Sequence, residues 1–202
     1  MPYPIRALLI LLVSQALHPT AHSQVYLGAG YGTFNVPGAS MSFRGTGPTF
    51  RFEYGQPDYH TSLFIDVSYF QKSLDGGTTQ IYDINGVPVG TASVTDKYSY
   101  IYNTVGFKTK FNDRKFSPYL GGGVAIVFAK QQPSFHPSYN VTGDAQHMVT
   151  EGFHFNAGLQ YDAGPVLLEL QGNLDIVLKV LVDDVSNVMT NLRLTAVVPV
   201  LH

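Results

Sequence analysis

The chain contains no cysteine and no tryptophan, and charged residues make up only 13% of its 202 positions. Without cysteine it can form no disulfide, no thiolate metal site and no cysteine nucleophile. A formal charge of −2 gives no electrostatic basis for a nucleic-acid partner. The abundant residues include 20 Gly, 12 Pro, 13 Tyr and 13 Phe. Because turn and strand residues dominate, the composition excludes disorder and coiled coils and predicts one β-rich domain.

Long apolar runs are also missing, apart from a short one near the N-terminus. Arg6 precedes the apolar residues 7–13, and the segment ends in Ala21-His22-Ser23, which has small residues where signal cleavage requires them. This run is far shorter than the roughly 20 apolar residues of a membrane-spanning helix. We therefore expect residues 1–23 to be a cleaved signal peptide and residues 24–202 to be the exported domain. An exported chain without a spanning helix is either soluble outside the cytoplasm or a membrane β-barrel.

Alternation of apolar with polar or small residues favours the second class. A strand that crosses lipid places every second side chain against hydrocarbon and the others in the lumen, over about nine to eleven residues. Eight segments of the sequence have this pattern: Val25–Phe34, Thr49–Tyr54, Leu63–Gln71, Tyr98–Phe111, Pro118–Phe128, Phe153–Tyr161, Leu168–Ile176 and Asn191–Val200. The sequence therefore predicts an all-β fold, an eight-stranded antiparallel up-and-down transmembrane β-barrel.

The connections between these segments alternate in length. Short ones are expected at residues 55–61, 112–116 and 162–165, and long polar ones at residues 35–47, 72–97, 130–150 and 177–190. Short turns at one end and long loops at the other are typical of outer-membrane barrels, whose long loops are extracellular. Within the second long loop, Asn85-Gly86 is the preferred pair of a type I′ turn and predicts a hairpin above the membrane.

Two sequence runs carry a resemblance to a known family. Residues 25–32 read VYLGAGYG, directly after the predicted cleavage site, and residues 118–123 read PYLGGG at the start of the fifth strand. In these features the chain resembles the eight-stranded outer-membrane barrels of the OmpA-like and "porin family" type, over the whole mature length. The resemblance implies a Gram-negative outer membrane and insertion by the barrel-assembly machinery. One departure is the ending Val200-Leu201-His202, because such barrels usually finish on an aromatic residue.

Charged residues in the predicted strands fall on the face opposite the apolar one. An eight-stranded barrel is just wide enough to be filled by its own side chains, and buried charges need partners. We therefore expect a salt-bridge network that plugs the lumen rather than an ion track, while a wide diffusion pore would need roughly sixteen strands. The predicted lumen residues are Arg51, Lys108, Lys110 and Arg193 with Glu53, Asp66, Glu169 and Asp175.

His154, Asn156 and Glu169 form the candidate catalytic constellation, because some small outer-membrane barrels are lipid A deacylases or acyltransferases. The deacylases that the chain resembles carry serine where this chain has Asn156, and the sequence contains no G-x-S-x-G elbow. Ser68, beside Asp66, is the best alternative nucleophile, but strands three and six lie on opposite sides of the barrel. We expect no catalytic residue, and the scattered histidines predict no metal site and no cofactor.

Other interpretations remain open at this point. The same alternation suits a soluble, lipocalin-like ligand-binding barrel with its faces inverted, although Tyr31, Tyr54, Tyr69 and Tyr161 near the strand ends favour a membrane barrel. A lipid-modifying hydrolase is a further alternative. We expect a non-enzymatic barrel with a polar, filled lumen and a structural or surface-interaction role. Its expected partners are outer-membrane lipid and an extracellular partner bound through the four long loops.

Overall fold

The computed structural model describes residues 24–37, 43–55, 60–83, 85–136, 145–178 and 187–201, so the predicted signal peptide lies outside the described residues. Within these ranges the chain forms the strands β1 (Gln24–Val36), β2 (Phe43–Gly55), β3 (Thr61–Tyr82), β4 (Pro88–Lys110), β5 (Phe116–His136), β6 (Gln146–Asp162), β7 (Leu167–Val177) and β8 (Val188–Leu201). Each strand pairs antiparallel with its neighbours in sequence, and β1 also pairs with β8, which closes the barrel. The predicted all-β, eight-stranded up-and-down barrel is confirmed. No helix able to cross a bilayer occurs in the described part of the chain.

The period-two alternation of each strand decides which side chains face outward. Alternate residues point to opposite faces of a sheet, so an apolar outer face requires apolar residues at every second position. Every strand contributes large apolar side chains that are 44–59% exposed, as in Leu27, Phe50, Ile65, Ile101, Leu120, Phe153, Leu170 and Leu194. Within the apolar band, the charged side chains of Arg51, Asp66, Lys108, Glu169 and Arg193 are buried inside the barrel, and Glu151 is an exception on the outer face. A water-soluble barrel has the opposite arrangement, so the structure excludes the lipocalin-like interpretation.

Aromatic residues mark both ends of the apolar band. Tyr31 and Tyr69 are exposed on the outer face toward one end of the barrel. At the other end, the ring of Tyr161 packs on Phe116 with centroids 4.6 Å apart, and the Lys115 ammonium lies 5.3 Å from the Tyr161 centroid. Two aromatic belts of this kind are expected where a barrel meets the two membrane–water interfaces.

The strands extend beyond the predicted segments at the end away from the chain termini. β3 and β4 remain paired from Thr61↔Thr109 as far as Tyr82↔Pro88, and β5 remains paired with β4 as far as Ser93↔His136. Much of residues 72–97 and 130–150 is therefore strand, and the prediction of loops there was wrong. The cause is that the apolar alternation ends where contact with lipid ends, whereas backbone pairing continues into water. At the opposite end, short connections join the strands: residues 111–115 between β4 and β5, and residues 163–166 between β6 and β7. Short turns of this kind identify that end as periplasmic.

The β3–β4 hairpin is present, as Asn85-Gly86 predicted, but its turn is of another type. The backbone N–H of Gly86 donates to the Asp83 carbonyl at 3.0 Å, so Asn85 and Gly86 occupy the third and fourth turn positions. A type I′ turn would place them at the second and third positions. Gly86 has φ of 78°, which glycine adopts without strain. The Asp83 carboxylate accepts the backbone N–H of Val87 at 2.8 Å and of Asn85 at 2.9 Å, and the bond from Val87 is the main cause of its lowered pKa.

Candidate functional site in the barrel interior

The periplasmic half of the lumen contains a continuous chain of ion pairs, which we call the charged half. Arg51 on β2 contacts Asp66 on β3 through Nε–Oδ1 and Nη2–Oδ2, both at 2.7 Å. Arg193 on β8 binds the same carboxylate, with Nη1–Oδ2 at 2.8 Å. Arg51 also pairs with Glu169 on β7. Asp66 and Glu169 therefore share one guanidinium between opposite sides of the barrel.

Lys108 on β4 completes this chain. Its ammonium pairs with Glu169 and lies 2.8 Å from Glu53 Oε2. The network therefore runs from Arg193 through Asp66, Arg51, Glu169 and Lys108 to Glu53, and each of these residues is at most 6% exposed. The network contains three cations and three carboxylates, so every charge in it has an opposite charge beside it.

Strand register and aromatic rings explain why these charges are held in place. Arg51 and Asp66 lie directly opposite each other on β2 and β3, so their pairing follows from the register. Each cation also lies over an inward-facing ring at about 5 Å from its centroid, a cation–π distance: Arg51 over Phe64 at 5.0 Å, Lys108 over Tyr119 at 5.1 Å and Arg193 over Tyr102 at 4.9 Å.

Six of the eight predicted lumen charges thus lie together, and two lie elsewhere. Lys110 lies at the periplasmic rim, where its ammonium is 3.6 Å from Asp113, so its predicted place in the lumen network was wrong. Position explains this, because Lys110 is the last residue of β4. Asp175 is fully buried but contacts His154, with His154 Nδ1 2.6 Å from Asp175 Oδ1.

His154 pairs with a carboxylate, and its other hydrogen-bond contacts are neutral polar groups. Its Nδ1 contacts Asp175 and lies 3.2 Å from the Tyr102 hydroxyl, and its Nε2 lies 3.2 Å from the Asn156 amide nitrogen. Glu169, the third member of the candidate constellation, belongs to the ion-pair network instead. Ser68 donates to the Thr49 hydroxyl at 2.8 Å. Among the described residues, no serine lies within hydrogen-bond distance of His154, and a nucleophile would need that contact.

The extracellular half of the lumen is apolar, which the prediction of a polar lumen missed; we call it the aromatic half. Phe34 stacks on Phe70 with centroids 5.0 Å apart, and the rings of Tyr100 and Tyr102 lie 5.3 and 5.9 Å from Phe34. The cluster also contains Val36, Tyr98, Ala125, Val127, Val177 and Met189. A signal for it exists in the sequence, because Tyr98, Tyr100 and Tyr102 recur with period two on the inward face of β4.

Amide side chains form a third group, near the junction of the two halves; the alternation predicts their inward facing, but not that they contact one another. Asn156, Asn173 and Asn191 are consecutive register partners on β6, β7 and β8. Gln171 contacts Arg51 and Asn173, and it accepts the Tyr119 hydroxyl at 3.1 Å. These amides supply both donors and acceptors, so they connect the ion pairs to neutral polar groups.

The extracellular mouth contains a cavity of about 70 Å³ whose walls include Tyr98, Tyr100, Gln131, Gln146 and Met148. That volume holds a few water molecules. The described residues contain no group of three or more His, Cys, Asp or Glu placed to hold a metal ion. Most polar side chains of the described interior contact one another, but a few buried atoms, such as Arg193 Nε and Nη2 and Asn156 Oδ1, have no hydrogen-bond partner.

Comparisons with known proteins agree with this geometry. The chain matches the model of the outer membrane protein beta-barrel domain family over residues 5–180. It belongs to this family. A comparison with curated protein sequences gave no match.

Several solved structures are similar to this barrel. They include Ail, the attachment invasion locus protein of Yersinia pestis, crystallised with the heparin analogue sucrose octasulfate; it is 14% identical, with a TM-score of 0.58 over 89% of this chain and 99% of Ail. Neisserial surface protein A is 15% identical, with a TM-score of 0.56 over 87% of this chain and 97% of its own. OprG of Pseudomonas aeruginosa is 10% identical, with a TM-score of 0.51 over 88% and 94%. These likenesses establish the fold. With the family match, they place the protein in the Gram-negative outer membrane.

Proposed function

We propose that this protein is a closed, non-enzymatic outer-membrane barrel with a structural or surface-interaction role. The observation that carries the proposal is the double filling of the lumen. The ion pairs of Arg51 with Asp66 and with Glu169 fill the charged half, and the stacked rings of Phe34 and Phe70 fill the aromatic half directly above it. Two consecutive layers of buried side chains argue against a path for ions or solutes through an eight-stranded barrel.

The β3–β4 hairpin is the part of the barrel best suited to meet an extracellular partner. β3 last pairs with β2 at Thr46↔Gln71 but continues to Tyr82, so the hairpin projects beyond its neighbour. Its end carries exposed Tyr82, Val87 and Val89. Exposed apolar residues at the end of a projection are typical of an interaction site.

The charge of this hairpin limits the kind of partner. Ail was crystallised with a heparin analogue, which is a sulfated polyanion. Residues 73–96 of this chain contain Asp75, Asp83 and Asp96 and no lysine, arginine or histidine. An acidic hairpin repels a polyanion. We therefore propose that its apolar end contacts a protein or another uncharged surface.

Planar-bilayer recording tests whether the lumen is closed. The purified wild-type barrel should give no stable conductance. As a positive control, Phe34→Ser with Phe70→Ser should admit water to the aromatic half and produce small current events. A steady, porin-like conductance from the wild-type monomer would contradict the proposed closed lumen.

Adhesion assays test the hairpin. Cells that display the wild-type barrel should adhere to a protein-coated surface or to one another more than cells carrying the triple variant Tyr82→Ser, Val87→Ser and Val89→Ser. Asp96→Asn is the matched control, because it alters the base of the hairpin without changing its end. Equal adhesion by the wild type and the triple variant would leave the structural role as the function.

The remaining parts of the proposal concern export and catalysis. Export by residues 1–23 predicts that the mature protein begins at Gln24, which N-terminal sequencing measures directly. Insertion by the barrel-assembly machinery predicts accumulation in the periplasm when that machinery is depleted.

The non-enzymatic assignment predicts no fatty-acid release from lipid A or phospholipid. Release by the wild type that disappears in His154→Ala would make the protein a hydrolase.

A further inference from the structure

Three basic residues lie on the outer face of neighbouring strands where the apolar band ends on the extracellular side. Lys130 on β5 lies opposite His147 on β6 and opposite Ser99 on β4, and Lys97 follows two residues beyond Ser99. Alternate strand residues share a face, so all three basic residues project outward. Directly below them the outer face is apolar, with side chains 46–54% exposed at Ile101, Phe128 and Val149.

Among the described outer-face residues near this boundary, basic residues are clustered only on this side of the barrel, and Arg44 on β2 is a single cation elsewhere. At the same boundary, other strands carry the neutral residues Thr33, Thr46, Gln71 and Thr190 on their outer faces. Within the described ranges, no carboxylate lies within 4.0 Å of Lys97, Lys130 or His147. The positive charges of Lys97 and Lys130 therefore face the headgroup region of the outer leaflet, with the His147 imidazole beside them.

Two polar residues lie deeper on the same side, within the apolar band. Asn103 on β4 and Glu151 on β6 flank Ile126, which pairs with both of them in the register. Lys130 lies four residues from Ile126, which is about 13 Å along the strand and about 9 Å in depth at a tilt of 45°. Hydrogen-bond acceptors at that depth need donors, because water is scarce there.

We propose that this patch, formed by Lys97, Lys130 and His147 with Asn103 and Glu151 beneath them, binds a lipid with the chemistry of lipid A. The phosphates lie against the three basic residues. The amide N–H and hydroxyl groups at the roots of the acyl chains donate to Glu151 and Asn103. A simple anionic phospholipid satisfies the upper part of the patch but offers fewer donors to the lower part. The inference rests on the outer-membrane location and not on the closed lumen or the hairpin.

The experiment uses the full mature chain folded in detergent, with bound lipid counted by native mass spectrometry. The probes are bis-phosphorylated lipid A, the same lipid without phosphates, and phosphatidylglycerol. The variants are Lys97→Gln with Lys130→Gln, and separately Glu151→Gln. Arg44→Gln is the matched control, because Arg44 is an exposed cation on β2 outside the patch. Heat-modified gel mobility confirms that each variant is folded.

The wild type should bind lipid A more tightly than either other probe. Each lysine near an anionic lipid surface contributes about fivefold, so the double lysine variant should bind lipid A about 25-fold more weakly. Glu151→Gln should weaken lipid A binding while leaving phosphatidylglycerol binding unchanged, and Arg44→Gln should have no effect. Equal losses in the Arg44→Gln and double lysine variants would overturn the proposal. So would equal affinity for lipid A and phosphatidylglycerol, because the patch would then be a general anionic-lipid contact.

Discussion

The charged half and the aromatic half of the lumen lie within one barrel wall but are filled by different physical means. In the charged half, Asp66 binds two guanidiniums and Glu169 binds an arginine and a lysine, so each carboxylate depends on particular partners. In the aromatic half, Phe34 contacts several rings through non-directional packing. The lumen of this barrel therefore requires filled volume and not a particular polarity. The charged half should therefore be intolerant of single changes, while the aromatic half should respond in proportion to lost volume.

The largest effect is expected for Glu169→Gln. The substitution keeps the size of the side chain but leaves Lys108 with only Glu53 and Arg51 with only Asp66, so three buried cations face two carboxylates. Removing one partner of a buried ion pair costs about 3–5 kcal/mol, because the remaining charge is left uncompensated. The chain has no tryptophan, so urea unfolding in lipid vesicles is best followed by heat-modified gel mobility.

Two variants check this interpretation. Glu151→Gln removes a carboxylate from the outer face and should leave the urea midpoint within experimental error. Lys108→Met combined with Glu169→Leu restores two buried cations against two carboxylates and should recover part of the loss. The recovery is not complete, because Glu53 loses the Lys108 ammonium and keeps the Ser62 hydroxyl. If the double variant were less stable than Glu169→Gln alone, the contacts of Lys108 with Glu53 and Glu169 would together be contributing net stability.

Phe70→Leu should have a smaller effect. Phe70 is fully buried and stacks on Phe34, so the shorter side chain loses packing and leaves a small void. Truncations of this size in a core cost about 1–2 kcal/mol. Tyr69→Leu is the matched control, because its neighbouring position faces lipid, and it should change the unfolding free energy by less than about 0.5 kcal/mol. Equal losses in Phe70→Leu and Tyr69→Leu would mean that the two faces of β3 are assigned wrongly.

Sequence reasoning succeeded where one physical constraint acts alone. Lipid demands apolar residues at every second outward position, so Leu27, Ile65 and Leu170 identified their strands and faces. It failed where constraints combine. An inward position can hold a charged side chain such as Arg51 or an aromatic one such as Phe34, provided that the side chains around it match. Which side chains meet across the lumen cannot be read from the linear sequence. The pairing of Asp175 with His154 was missed for the same reason, and the extent of β3 was missed because backbone pairing needs no apolar pattern.

Tyr102→Phe tests the junction between the two halves. The Tyr102 ring belongs to the aromatic cluster and lies under the Arg193 guanidinium, while its hydroxyl lies 3.2 Å from His154 Nδ1. Phenylalanine keeps the ring and both of its packing contacts but removes the hydroxyl. Loss of one buried hydrogen bond should cost about 0.5–1.5 kcal/mol in the same unfolding assay. Tyr31→Phe, on the outer face, is the control. An unchanged midpoint for Tyr102→Phe would show that the junction is held by packing alone.

The smallest effect on the barrel is expected for Asp83→Ala, because Asp83 lies in the β3–β4 turn, beyond the aromatic half. The Asp83 carboxylate accepts hydrogen bonds from the backbone N–H groups of Asn85 and Val87, so its removal should loosen the turn and speed amide exchange at both positions.

The pKa of Asp83 is lowered by folding. Its stabilisation is therefore present above the unfolded-state value of about 3.9 and is lost as pH falls through the lowered pKa. Amide resonances of the wild-type turn should shift below pH of about 4, whereas Asp83→Ala should show no such titration. The urea midpoint of the barrel should not change, because Asp83 contacts neither half of the lumen. A lower midpoint would instead mean that the hairpin and the aromatic half unfold as one unit.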